Sequence, residues 1–218
     1  MKMQKQLLTA SFLLLMMLAA SGQVAQIQYE VVYNPASSLY EAHAHVLGAP
    51  LTFPSTIPFP SKFTVVVPAA ISNSPFTVVK SVNPPGLAWS QSNNIYEPAA
   101  APASDFHAFT ISGGGGNNAY QDFSVGSDIL LFTFSVPDAG FEENVRCYIN
   151  GSDPGSSEPG MAGLDFTQAF KTCQAGVPSG VDRYLANTDN RMPKPNANSG
   201  SFALDESLLH VSLNSNTP

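Results

Sequence analysis

Apolar and polar residues alternate with a period of two along most of the chain, in short runs broken by proline, glycine and asparagine. Eight runs read as strands: IQYEVVY (27–33), LYEAHAHVL (39–47), KFTVVVP (62–68), FTVVKSV (76–82), FHAFTI (106–111), ILLFTFSV (129–136), VRCYI (145–149) and LLHVSL (208–213). Two weaker strands are expected near Trp89 and over 181–185. No amphipathic helix stands out beside them. About eight to ten such strands predict one all-β domain, an antiparallel β-sandwich of cohesin-like or immunoglobulin-like kind.

Alternation also assigns faces. Over 39–47, Tyr40, Ala42, Ala44 and Val46 share the side expected to face the core. Glu41, His43 and His45 share the other. Their i, i+2, i+4 spacing can chelate zinc or nickel, but two histidines on a sheet face read first as solvated surface. The run ILLFTFSV is apolar on both sides in its first half, as expected of a strand inside a sheet. The prolines cluster between strands (PSTIPFPS, NPPG, EPAAAPAS), where they stiffen loops and discourage edge pairing. SGGGGNN (112–118) lacks the lysine and hydroxyl residue of a phosphate-binding loop. Residues 187–200 read as a polar connection before the last strand.

The first 22 residues have the form of a secretory signal: Lys2 and Lys5, the apolar run FLLLMML, then AASG. Cleavage after Gly22 would leave Gln23–Pro218 as a single secreted domain without a membrane span. The whole chain has 9 basic and 16 acidic residues, a net charge of −7. That argues against nucleic acid or an anionic membrane as partner, since both call for a basic face. Only 11% of residues are charged, a surface suited to a wall, matrix or filament component. In an oxidising compartment the two cysteines, Cys147 and Cys173, are expected to form a disulfide.

That bridge would tether the least ordinary stretch, NGSDPGSSEPGMAGLDF (150–166). Asp153, Glu158 and Asp165 offer hard oxygen ligands, and Asn150 and Ser152 could complete a calcium shell. The alternative is a turn-rich connection in which Asn, Asp and Ser bond their own backbone. Asn150-Gly151-Ser152 also matches a glycosylation sequon. Trp89 belongs either to a sugar-stacking face or to the core. His107 and His210, in apolar strands, are expected to be satisfied and partly buried. No G-x-S-x-G, H-E-x-x-H or free catalytic cysteine is found, so no enzyme is expected.

Taken in order, YNPASSLYEAHAHV (33–46), FTVVVP (63–68), a Trp-centred segment, YEPAAAPASDFHAF (96–109), GSDILLFTFSV (126–136) and VRCYINGSDPGSSEPGMAGLDFTQAF (145–170) resemble a module of large, secreted cell-surface proteins of Bacteroidota. The resemblance covers roughly residues 27–187. It implies an extracellular β-sandwich of adhesin-like proteins on a Gram-negative cell, with Asn150, Asp153 and Asp165 as a possible ligand set and no catalytic residues. Such proteins usually end in a sorting domain, whereas this chain ends at LLHVSLNSNTP. Either a soluble secreted protein or anchoring by assembly with its own copies is therefore expected.

The function expected from all this is structural or adhesive, through contacts with other copies or other extracellular proteins. Strand addition would use Gln26, Ile27, Tyr29 and Val31 at one end, or Leu209, Val211 and Leu213 at the other. The alternative is a calcium-dependent carbohydrate-binding module that uses Trp89.

Overall fold

The computed structural model describes residues 24–52, 57–58, 60–71, 73–112, 120–137, 140–173 and 180–188. The expected signal sequence, the polar connection expected over 187–200 beyond Thr188 and the strand expected over 208–213, with His210, lie outside them.

The described residues form strands and no helix. They are β1 (Gln26–Asn34), β2 (Leu39–Leu47), β3 (Ile57–Pro58), β4 (Lys62–Pro68), β5 (Thr77–Ser81), β6 (Ala88–Ile95), β7 (Ser104–Ser112), β8 (Asp128–Ser135), β9 (Arg146–Cys147), β10 (Lys171–Cys173), β11 (Val181–Asp182) and β12 (Tyr184–Asn187). One sheet runs β12-β1-β2-β8-β5, a second β6-β7-β4-β9, and a small third β11-β10-β3. The all-β sandwich expected from the alternation is thus the observed class.

Two details differ from the expectation. β12 pairs parallel to β1, through Ile27, Gln28 and Tyr29, so the large sheet is mixed. β3 and β10, of two and three residues, are too short for a period of two to register.

The core lies between the two larger sheets. From β1 come Ile27, Tyr29, Val31 and Tyr33, and from β2 Tyr40, Ala42, Ala44 and Val46, as the alternation predicts. They meet Phe63, Val65 and Val67 of β4, Phe109 and Ile111 of β7, and Leu131, Phe132 and Phe134 of β8. Each of the larger aliphatic and phenylalanine side chains contributes about 1.5–3 kcal/mol by leaving water. Aromatic rings dominate the contact, with Phe132 lying 5.0 Å from both Trp89 and Phe109 between centroids.

The two long edges of the sandwich are treated differently. On one side side-chain caps bridge β5 to β6: Gln91 Oε1 accepts from Phe76 N–H, and Ser81 Oγ accepts from Trp89 N–H at 2.9 Å. On the other, β12 covers only the first half of β1. Ile27 N–H donates to Arg183 O, and Thr188 N–H to Tyr29 O, so odd residues of β1 turn their backbone toward that edge. At Val31 and Tyr33 no described strand meets it.

Candidate functional site

The 150–166 stretch is a lid over the outer face of the four-stranded sheet. Met161 and Phe166, both fully buried, pack on Val66, Phe106, Ala108 and Tyr148 in a second, smaller apolar cluster. Backbone bonds fold the lid on itself: Ser152 and Asp153 N–H donate to Ile149 O, Glu158 N–H to Gly155 O and Met161 N–H to Glu158 O. Gly160 lies against the 98–100 turn at φ +85°, where an added Cβ would sit 2.3 Å from Ala99 N. Ala100 N–H donates to Pro159 O at 2.8 Å across that contact.

Two of the lid's three acids, Asp153 and Asp165, are engaged by the protein's own cations and amides, while Glu158 is exposed. Arg146 donates to both oxygens of Asp153 at 2.7 Å, and Asp153 also accepts from Ile149 N–H. These bonds raise the guanidinium pKa above its ordinary value despite burial. Asp165 accepts from Lys62 Nζ and from the N–H and hydroxyl of Thr167. Burial alone would raise its carboxyl, but Lys62 and Thr167 outweigh that and hold it below the usual aspartate value.

Asn150 clamps Gln168 through two bonds, Nδ2–H to Gln168 O (3.0 Å) and Gln168 N–H to Oδ1 (2.7 Å). The buried Gln168 side chain in turn pairs with both backbone groups of Thr64 on β4, each at 2.7 Å. The lid is therefore stitched to its sheet by amide and carboxylate bonds of the kind expected of the turn-rich alternative. The five residues expected to ligate calcium, Asn150, Ser152, Asp153, Glu158 and Asp165, are not brought together as a shell. Among the described residues no three His, Cys, Asp or Glu side chains converge on one point as metal ligands do.

Trp89 does not offer a sugar platform. It is 2% exposed, stacks near Phe132 and donates its indole N–H to Asn83 O at 2.7 Å. The core alternative is the observed one, because a ring that lands on β6 facing β8 has apolar neighbours on every side. The disulfide expected between Cys147 and Cys173 is not formed in this structure, where both are free thiols. Cys147 sits on β9 beside Val65 of β4, and Cys173 on β10 beside Ile57 of β3, in different sheets. Burial pushes the Cys147 thiol well above its ordinary pKa.

The histidines depart from expectation in opposite ways. His107 is buried with no hydrogen-bond partner on either ring nitrogen among the described residues. Phe76 stacks on it at 3.7 Å, and its pKa is lowered by burial to about 4. His43 and Glu41, expected on solvated surface, are buried and bonded to each other. The signal that would have found this is the acid on each neighbouring strand: Glu30 opposes His43 and Asp128 opposes His45.

Beside the open half of β1 lies a groove of about 260 Å³. Val31, Cys147, Ile149, Tyr184, Leu185 and Asn187 line it, with Ile149 and Leu185 42% and 49% exposed. Asn187 Nδ2–H donates to Tyr148 O, tying the two sheets at this seam. Gln26, Ile27, Tyr29 and Val31, expected to take part in assembly, all lie on β1. Ile27, Tyr29 and Val31 point into the chain's own core, so β1 cannot be donated without emptying it. The other expected set, Leu209, Val211 and Leu213, lies outside the described residues. No described helix is long and apolar enough to cross a membrane.

No family model, curated protein or solved structure matches the chain.

Proposed function

We propose that the protein is a secreted structural or adhesive subunit that joins its own copies by strand addition, with the open edge of β1 as acceptor. The observation that carries this reading is the seam: a strand edge that no described strand pairs at Val31 and Tyr33, flanked by exposed Ile149 and Leu185. Open backbone edges beside apolar pockets accept an extended segment, with backbone bonds giving affinity and alternate side chains filling the groove. The donor is the 208–213 run, whose Leu209, Val211 and Leu213 share one side of an extended strand. The chain leaves the described residues at Thr188, beside Tyr29 and at the start of that edge. The resemblance to cell-surface modules agrees with this role and with an extracellular location.

The carbohydrate-binding alternative finds less support. Trp89 lies in the core, and Asp165 and Asp153 of the lid hold Lys62 and Arg146. Deleting residues 208–213 tests the proposal: sedimentation velocity should change from assemblies to monomers. Assembly that survives the deletion would rule out this run as the donor.

A further inference from the structure

His107 shares the core-facing side of β7 with Phe109 and Ile111, and neither of its ring nitrogens is hydrogen-bonded among the described residues. The ring of Phe76 covers it, stacked at 3.7 Å and 7° from parallel, and Tyr96 meets it nearly edge-on at 5.7 Å. Phe76 also lies over Phe134 of β8 at 6.1 Å. Phe76, from the segment just before β5, is thus the cover of an unbonded imidazole.

That cover is fastened unevenly. The Phe76 N–H donates to the Gln91 side chain of β6 and not to a neighbouring strand's backbone. After it, β5 pairs with β8 through Thr77 and Val78, and then the register shifts before Lys80. Beyond the shift the chain is held more firmly. Val82 and Asn83 N–H both donate to Leu131 O, Asn83 Nδ2–H to Leu130 O and Trp89 Nε1–H to Asn83 O. β5 ends its sheet and has no fully buried side chain. Elements with so little buried apolar surface are the ones that open locally.

We propose that acid opens this corner of the sandwich: residues 73–78 swing out about the shift in β5, Phe76 uncovers His107 for protonation, and the rest of the fold stays closed. In the closed corner nothing compensates an imidazolium. Its neighbours in register, Val65 of β4 and Asn94 of β6, are uncharged. Tyr96 keeps its phenol proton, since burial raises its pKa. Asp105, two residues back on the same face, is fully buried. Desolvation raises its carboxyl above the ordinary aspartate value, so it moves toward neutral as pH falls. The Glu97 side chain is exposed. In the open corner water solvates the imidazolium. Opening also uncovers Phe134, an acid-dependent apolar surface on the edge away from β12 and the seam.

Amide exchange of the wild-type protein, divided by intrinsic rates, gives the opening constant of each bonded amide. Phe76 reads the corner, and Val46 of β2, which donates to Ser127 O, reads global unfolding. The constant at Phe76 should exceed that at Val46 and be nearly independent of urea below the unfolding transition. It should rise by up to tenfold for each pH unit lost between about 6.5 and about 4, the ordinary and the buried values of the imidazole. His107→Leu should abolish that rise while Val46 stays protected. Ring nitrogen shifts of the wild type should show a neutral His107 in the closed form near pH 5. Equal opening constants at Phe76 and Val46, or a Phe76 constant that ignores pH, would overturn the proposal. So would the same rise in His107→Leu, or an imidazolium inside a protected corner near pH 5.

Discussion

Arg146 on β9 grips Asp153 of the lid through two parallel N–H donors, both at 2.7 Å. The carboxylate that the sequence offered as a metal ligand is instead the anchor of its own loop, and it is 11% exposed in its side chain. Replacing Asp153 with alanine leaves a partly buried guanidinium without its counter-charge, with Cys147 O as its remaining acceptor, and the Ile149 N–H without its carboxylate. The expected cost is about 2–4 kcal/mol, read from urea denaturation. Adding millimolar calcium to the stripped wild type should leave its melting temperature unchanged.

Gln168 is the second fastening. Gln168→Ala strands the N–H of Thr64 in a buried strand, while Thr64 O keeps its bond from Tyr148 N–H, and should destabilise by about 1–3 kcal/mol. Asn150→Ala, in a more exposed position, should cost less. Denaturation midpoints of the two variants check the order.

The docking of the lid on the 98–100 turn depends on a glycine. Gly160→Ala meets both a left-handed φ and a backbone nitrogen at 2.3 Å. The turn and the lid must then part, and the amide of Ala100, bonded to Pro159 O, should exchange with solvent much faster than in the wild type. Hydrogen exchange at that one amide is the readout.

His107 makes the fold sensitive to acid. Burial lowers its pKa to about 4, while in the unfolded chain the group titrates near its ordinary value of about 6.5. Between those values the unfolded state binds more protons, so stability falls as pH drops from about 6.5 to about 4. The loss from this group reaches about 3 kcal/mol. Above a pH of about 6.5 it contributes no slope. His107→Leu should flatten the profile in that window, as measured by urea midpoints across pH.

The fold was legible because alternation is a local signal. Tyr40, Ala42, Ala44 and Val46 could be assigned inward from one strand alone, whereas the mostly polar β6, AWSQSNNI, gave only a weak signal near Trp89. The site was legible only in outline. The 150–166 stretch was singled out by its composition, but whether Asp153 meets a metal or Arg146 depends on a partner that β9 places beside it. His43 looked exposed because its own strand does not reveal Glu30 and Asp128 on its neighbours. Trp89 was ambiguous for the same reason: a side chain's face is local, but what covers that face is not. The thiols of Cys147 and Cys173 stand on different sheets, which spacing along the chain cannot show.

If the edge of β1 beyond Tyr29 receives a strand from another copy, its backbone amides must become protected as copies meet. Amide exchange at Val31 and Tyr33, followed as protein concentration is raised, addresses this directly. Fast exchange is predicted in dilute protein, with protection that grows with concentration and is lost again when residues 208–213 are deleted. Exchange at these two amides that is independent of concentration would contradict strand addition at this edge.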